Sequence, residues 1–285
     1  MCGFPLLHLD KYLKILVQSQ KRFVAMCEEF PRNSQLGAKG GFDRRVVRIV
    51  TPGTLIDEPF LNPYENNYLL AIGRPSSGSA PARITSSETV GLAWIDVSTG
   101  EFFTKLTSVD GLRDELVRIC PREVVLSGQS GTDPEDPIGS AIDEEGLFVS
   151  YCSTPVLAER SSLAAVPDGT DDVTSHLETR TPRASAVTEP EAMAIALLTA
   201  FMQTNLLEHM PTLASPSRET SSGRMQIDSH TVRALEIREG LSDGGTTGSL
   251  LSVVKRTVTS GGTRLLARWL CKHGSTAMQN KRNVY

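Results

Sequence analysis

From Ala192 to Met210 the sequence reads AMAIALLTAFMQTNLLEHM, and wound into a helix it is apolar on almost every face. A surface helix carries one apolar stripe, so a helix that is apolar all round needs neighbours on several sides. We expect this one to be buried in a helical assembly. Pro190 suits its first turn, where a missing N–H is no loss, and Pro211 ends it. If the neighbours lay outside these 285 residues, the chain alone would be poorly soluble.

The rest of the chain divides around that helix. His8 to Gln18 places Leu9, Tyr12, Leu13, Leu16 and Val17 at helical spacing. Arg22 to Cys27 and Arg45 to Val50 read as strands joined by the Gly-rich stretch 37–41, and Thr51-Pro52-Gly53 ends the second, with Gly53 supplying turn freedom. Tyr68 to Ile72 is a short strand. Thr89 to Val97 and Glu101 to Leu106 flank Ser98-Thr99-Gly100 as a hairpin. Leu112 to Ile119 fits a helix, and Glu123 to Leu126 and Leu147 to Tyr151 fit strands. Residues 74–88, 127–146 and about 153–188 are polar, acidic or rich in Ser, Pro and Gly, and we read them as loops. Beyond the apolar helix we expect helices from Ser229, capped by Asp228 or Ser229, then through Leu250 to Val254 and Arg264 to Trp269. The class is α/β followed by all-α.

Charge follows the same division. Residues 1–54 hold nine basic and four acidic residues, and 246–285 hold seven basic and none acidic. With a net charge of −4, the middle carries an excess of sixteen acidic residues. That balance excludes a uniformly basic DNA binder, but it allows two phosphate-facing ends around a part that avoids nucleic acid. Five scattered cysteines (Cys2, Cys27, Cys120, Cys152, Cys271) have no metal spacing and point to reduced thiols in an intracellular compartment. Five histidines form no ligand pattern. No apolar run reaches the roughly 18 residues a membrane helix needs. MCGFPLLHLDKYLKILV reads as a folded amphipathic segment rather than a signal peptide, and its abrupt start suggests that Met1 is not a natural beginning.

Six blocks then occur in a telling order: MCGFPLLH, VAMCE, GFDRRVVRIVTPGTLIDE, GLAWIDVSTGEF with PREVVL, MQIDSHTVRALEI, and SLLSVVKRTVTSGGTRLLARWL. Together they resemble the MutS family of DNA mismatch-recognition proteins, and cover most of the chain outside its loops. CEEF, GTLIDE and NNYLLAI are most similar to the fungal mitochondrial members. The resemblance implies three parts. Residues 1–54 are the C-terminal part of a mixed α/β mismatch-binding domain, 55–186 a ribonuclease-H-like α/β connector domain, and 187–285 the beginning of an α-helical lever, or core, domain. It implies a parent protein that recognises mismatches in double-stranded DNA, driven by ATP with Mg²⁺, as a MutS-type homodimer or heterodimer that also meets a MutL-type partner. The compartment implied is the mitochondrion, with the nucleus as the alternative.

Two signatures of that family are not found. The Phe-x-Glu wedge should precede this segment, and Phe4 lacks a Glu two residues on. The GGTTGS stretch, 244–249, precedes a helix but has no lysine to reach a phosphate, so it fails as a phosphate loop. We therefore expect no cofactor held by this chain and little mismatch preference. The candidate DNA contacts are Lys39, Arg44, Arg45 and Arg48, with Arg44 foremost by its match to a backbone-contacting position. Strand alternation bars Arg45 from the face of Arg44 and Arg48. Lys255, Arg256, Arg264 and Arg268 are expected as exposed helix charges, with Leu265, Leu266, Trp269 and Leu270 turned inward. Two other readings remain: an adaptor that kept only the connector, and a nuclease using Asp96 and Glu101 as metal ligands, which lacks a third carboxylate.

Overall fold

The computed structural model describes residues 3–31, 41–55, 65–74, 88–128, 136–153, 187–211, 213–219, 224–225, 227–241, 245–271 and 273–274. A short irregular helix opens the chain: a 3-10 turn at Leu6–His8, then α1 (Leu9–Leu13), which widens into a π-helical stretch at Lys14–Ser19. β1 (Val24–Pro31) and β2 (Phe42–Val50) pair antiparallel. Leu13 and Val17 pack with Val50 and Leu55 into a small core.

The centre of the molecule is a six-stranded sheet. β3 (Tyr68–Gly73), β4 (Thr89–Asp96) and β5 (Phe102–Ser108) form an antiparallel meander. α2 (Val109–Ile119) crosses back to β6 (Glu123–Ser127), which runs parallel to β3. α3 (Pro137–Glu144) then leads to β7 (Val149–Cys152), parallel to β6. Alternation sends Leu70, Leu92, Trp94 and Val124 to one face, where α2 and α3 cover them. Leu69, Ala71, Ala93, Ile95 and Val125 point to the other. Strands buried on both faces read as continuous apolar runs, as YLLAI and VGLAWI do.

α4 (Glu189–Leu206) covers the second face. The expected helical assembly is not what holds it. Leu197, Leu198, Phe201 and Met202 lie on the sheet, and the helix also meets β2, so its several apolar sides are filled by β-structure of this same chain. The route was hidden because two glycines prepare the contact. Gly73 and Gly91 are opposed across β3 and β4, and a Cβ on Gly91 would come 2.1 Å from the Pro190 carbonyl carbon. A capping box at Thr188 and Glu191 starts the helix.

Beyond a 3-10 turn at Leu207–His209, β8 (Ser217–Arg218) adds parallel to β5, so the sheet order is β7-β6-β3-β4-β5-β8. Arg218 anchors β8 to the buried Glu191 at 2.9 Å. β9 (Arg224–Met225) pairs with β10 (His273–Gly274) around α5 (Ser229–Ala234), α6 (Leu250–Val254) and α7 (Ser260–Leu270). Among the described residues no helix is long and apolar enough to cross a membrane. The sequence reading missed α3, started by Asp136-Pro137 within a presumed loop, β8, inside a Ser/Pro-rich stretch, and the short pair β9 and β10. The Gly-rich stretch 37–40, Lys39 included, lies outside the described residues, as do 75–87, 129–135 and 154–186.

Candidate nucleic-acid interface and its junctions

β2 carries the basic residues, and its register decides where they point. Met26 pairs with Arg48 and Cys27 with Val46, so Val47 is an extra residue in β2, a bulge. The bulge breaks the strand alternation. Val47 and Arg48 are both buried although adjacent, and Arg48 does not share a face with Arg44. Arg48 is 6% exposed, with its Nε donating to Met26 Sδ at 3.3 Å. Arg44 and Arg45 are exposed. Arg44 donates through two nitrogens to Glu29 Oε1 (2.9 and 2.7 Å), its cross-strand neighbour, and Arg45 lies over the Phe30 ring at 5.4 Å.

The strand ends in a turn that plugs into the sheet. Thr51 Oγ1 donates to Glu123 Oε2 (2.5 Å), the Gly53 N–H donates to the same oxygen (2.7 Å), and the Ser150 hydroxyl donates to Oε1. Burial pushes the Glu123 carboxyl above the ordinary carboxylate range. The hydrogen bonds from Ser150, Thr51 and Gly53 and the charge of Lys21 oppose that shift. Gly53 is needed here for close approach rather than turn freedom, since a Cβ would meet Leu69 Cδ1 at 2.7 Å and Glu123 Cβ at 2.9 Å. TPG and PREVVL are thus two halves of one joint. Sequence reasoning missed Glu123; a lone carboxylate opening an apolar strand was the signal.

A second joint lies at the same end of the sheet, where β4 runs into the turn before β5. Asp96 is 1% exposed and its Oδ1 accepts from the Ser98 N–H at 3.0 Å, closing the β4–β5 turn in which Gly100 takes φ 76°. α7 docks on this turn. Arg264 Nη1 sits 3.9 Å from Asp96 Oδ2 and 3.5 Å from Ser98 Oγ; Arg268 Nη1 sits 3.8 Å from Glu101 Oε2 and its guanidinium lies 5.4 Å over Phe103. Burial raises the Tyr68 phenol, opposed by the Arg268 charge and hydrogen bond. The expected orientation of α7 holds only in part: Leu270 packs on the Val232, Ile237 and Cys271 cluster and Leu266 is half-buried. Arg264 and Arg268 face the hairpin, while Leu265 and Trp269 (61% exposed) face outward. Two carboxylates of the turn attract the arginines, which outweighs covering one indole. Lys255 and Arg256, which follow α6, are exposed.

Asp96 and Glu101 are thus spent on the turn and on arginines. Among the described residues, no group of three or more His, Cys, Asp or Glu side chains is placed to hold a metal ion. Of GGTTGS, Gly244 lies outside the described residues. Ser249 caps α6, its Oγ accepting from the Ser252 N–H at 3.2 Å.

A bulged basic hairpin, a mixed sheet wrapped by helices and a docked helical segment define a modular chain with two internal joints. Comparison with known proteins matches the modules one by one. Family models described as MutS domain I, MutS domain II and MutS domain III match residues 1–59, 67–213 and 230–272. The DNA mismatch repair protein MutS of Rhizobium meliloti (strain 1021) is 34% identical over 279 residues, which is 95% of this chain and 28% of the relative. The chain belongs to the MutS family of DNA mismatch repair proteins. It spans little more than a quarter of the length of that relative.

Proposed function

We propose that this chain serves an ATP-dependent mismatch-recognition protein as its duplex-holding and coupling portion. The observation that carries the reading is the pair Arg44 and Arg45, exposed on a strand whose end is locked into the sheet through Glu123. Load on the two guanidiniums passes along β2 into the sheet, and from the β4–β5 turn into α7. The strand order β5-β4-β3-β6-β7, three antiparallel strands then two parallel ones, supports a ribonuclease-H-like connector in the second module. Contacts to phosphates give affinity without sequence choice. Mismatch choice and ATP turnover with Mg²⁺ we assign to portions of such proteins beyond the span this chain shares with its relative. Dimerisation and a MutL-type partner complete the reading, as does the mitochondrion, which CEEF and NNYLLAI favour.

Anisotropy titrations of the 285-residue chain with matched and mismatched duplexes over a salt series test this proposal. Binding should weaken with salt and differ little between the duplexes. Arg44→Ala with Arg45→Ala should flatten the log–log slope by about 2, since each phosphate contact contributes roughly 0.9. An unchanged slope removes the two arginines from the interface. A strong mismatch preference, or ATP hydrolysis by this chain, overturns the assignment of those activities elsewhere.

A further inference from the structure

Two modules meet at the β4–β5 turn, and the meeting is incomplete. The Oδ2 of the buried Asp96 is sealed from solvent with no hydrogen-bond partner among the described residues. A buried carboxylate oxygen without a donor is costly, so native structures seldom leave one. The cation facing it is Arg264 of α7, whose Nη1 stops 3.9 Å away. The same nitrogen reaches Ser98 Oγ only at 3.5 Å. One helical turn further on, Arg268 Nη1 stops 3.8 Å from Glu101 Oε2. A charge-assisted N–H···O hydrogen bond closes at about 2.8 Å, so both arms of α7 end about 1 Å short of the same turn.

The other side of the helical segment is gripped more closely. The Ser229 N–H donates to Asp114 Oδ1 of α2 at 2.7 Å, and Arg233 pairs with Glu145 at the end of α3. Leu270, at the C-terminal end of α7, packs into the cluster of Val232, Ile237 and Cys271 against Val117 of α2. The N-terminal end of α7 is held more lightly. It contains Gly261 and Gly262, the weakest helix formers after proline, and a Cβ on Gly261 would meet nothing within 4 Å. One end of the helix is fixed and the other is free to swing.

We propose that α7 is a latch with a second, closed position, in which Arg264 donates to Asp96 Oδ2 and Ser98 Oγ together and Arg268 donates to Glu101. The helix pivots about its Leu270 end, and its N-terminal half advances about 1 Å, the distance by which both arms fall short. The sealed oxygen of Asp96 drives closure, because it gains there a donor that solvent cannot supply. Closed, the latch carries a displacement of the β4–β5 turn into the helical segment; open, it lets the two modules move apart. The latch stands on these contacts alone, whatever the arginines of β2 bind.

The test is a double-mutant cycle on the 285-residue chain, read as amide hydrogen exchange over residues 260–266. Its arms are Asp96→Asn, which keeps the Oδ1 acceptor of the turn, Arg264→Ala, and both together. Each single change should quicken exchange there while the α5 amides, at the fixed end, stay as they were. The product of the two single effects should exceed the effect of the pair by more than fivefold, and should do so in about 1 M salt, since a sealed pair is little screened. An open, hydrated pair couples by about fivefold or less. Coupling within that limit, or coupling that vanishes in high salt, overturns the proposal. If Asp96→Asn also loosens β4, Ser98→Ala takes its place in the cycle with the same expectation and the same limit.

Discussion

Gly73 and Gly91 face one another across β3 and β4, and the first turn of α4 rests its backbone in the gap their missing side chains leave. The contact has a direct consequence for mutagenesis. Gly91→Ala puts a methyl 2.1 Å from the Pro190 carbonyl carbon and 2.3 Å from the Glu191 nitrogen, both backbone atoms that cannot rotate aside. The variant should lose about 1–3 kcal/mol, the usual range for overpacking. Gly261→Ala on α7, where nothing lies within 4 Å, should instead gain about 0.5–1 kcal/mol from the lower entropy of the unfolded chain. Urea unfolding of both variants checks the opposite signs.

Glu123 makes the joint between the first two modules pH-sensitive. Its carboxyl titrates above the ordinary range in the fold because burial disfavours the charge. The folded state therefore holds a proton that the unfolded chain has released, so this group's stabilisation is complete below the ordinary carboxylate range. It fades as pH rises through the folded value. Glu123→Gln cannot lose a proton there. Plotted against pH, wild-type stability minus that of Glu123→Gln should fall with rising pH, by at most about 1.4 kcal/mol per unit. A difference that stays flat from pH 4 to 8 would exclude this role.

Arg268 should hold α7 on the β4–β5 turn. Replacing it with alanine removes its approach to Glu101 and its stacking on Phe103. Hydrogen exchange should quicken at least tenfold over Ser260–Leu270, with β3, β4 and β6 amides unchanged. These contacts are partly exposed, so the effect belongs to local opening and not to global stability.

Glu29 competes with a phosphate for Arg44, since the two form an exposed cross-strand pair at 2.7 Å. Glu29→Gln should raise duplex affinity a few-fold at low salt and steepen the salt slope by up to about 1. Arg48→Ala should leave the slope unchanged and lower stability instead, because its side chain is packed beside Met26. Anisotropy titrations and melting curves on the same three proteins separate these effects.

Local signals served well where a turn or cap decides the structure. The hairpin around Ser98-Thr99-Gly100, the Asp228 cap and the end of β2 at Thr51 all occur where the residues imply. What failed depends on partners far away in sequence. A period of two assigns Arg48 to the face of Arg44, and only pairing with β1 reveals the extra residue at Val47. Apolar composition says that α4 is buried, but not by what; Gly73 and Gly91 show where a helix can approach a sheet, yet read alone each is merely a weak strand residue. Likewise, an amphipathic reading of α7 turns Leu265 and Trp269 inward, because the carboxylates that draw Arg264 and Arg268 lie more than 160 residues earlier.

The outward turn of Trp269 has a practical side. The chain has two tryptophans, and the structure separates their surroundings: Trp94 is 2% exposed beneath α2, while Trp269 is 61% exposed. A soluble quencher such as iodide therefore reaches one indole and is shut out from the other. The blue-edge emission reports the integrity of the sheet, and the quenchable red-edge emission reports the helical segment. Unfolding of the two modules can thus be followed separately in a single cuvette, without attaching any label.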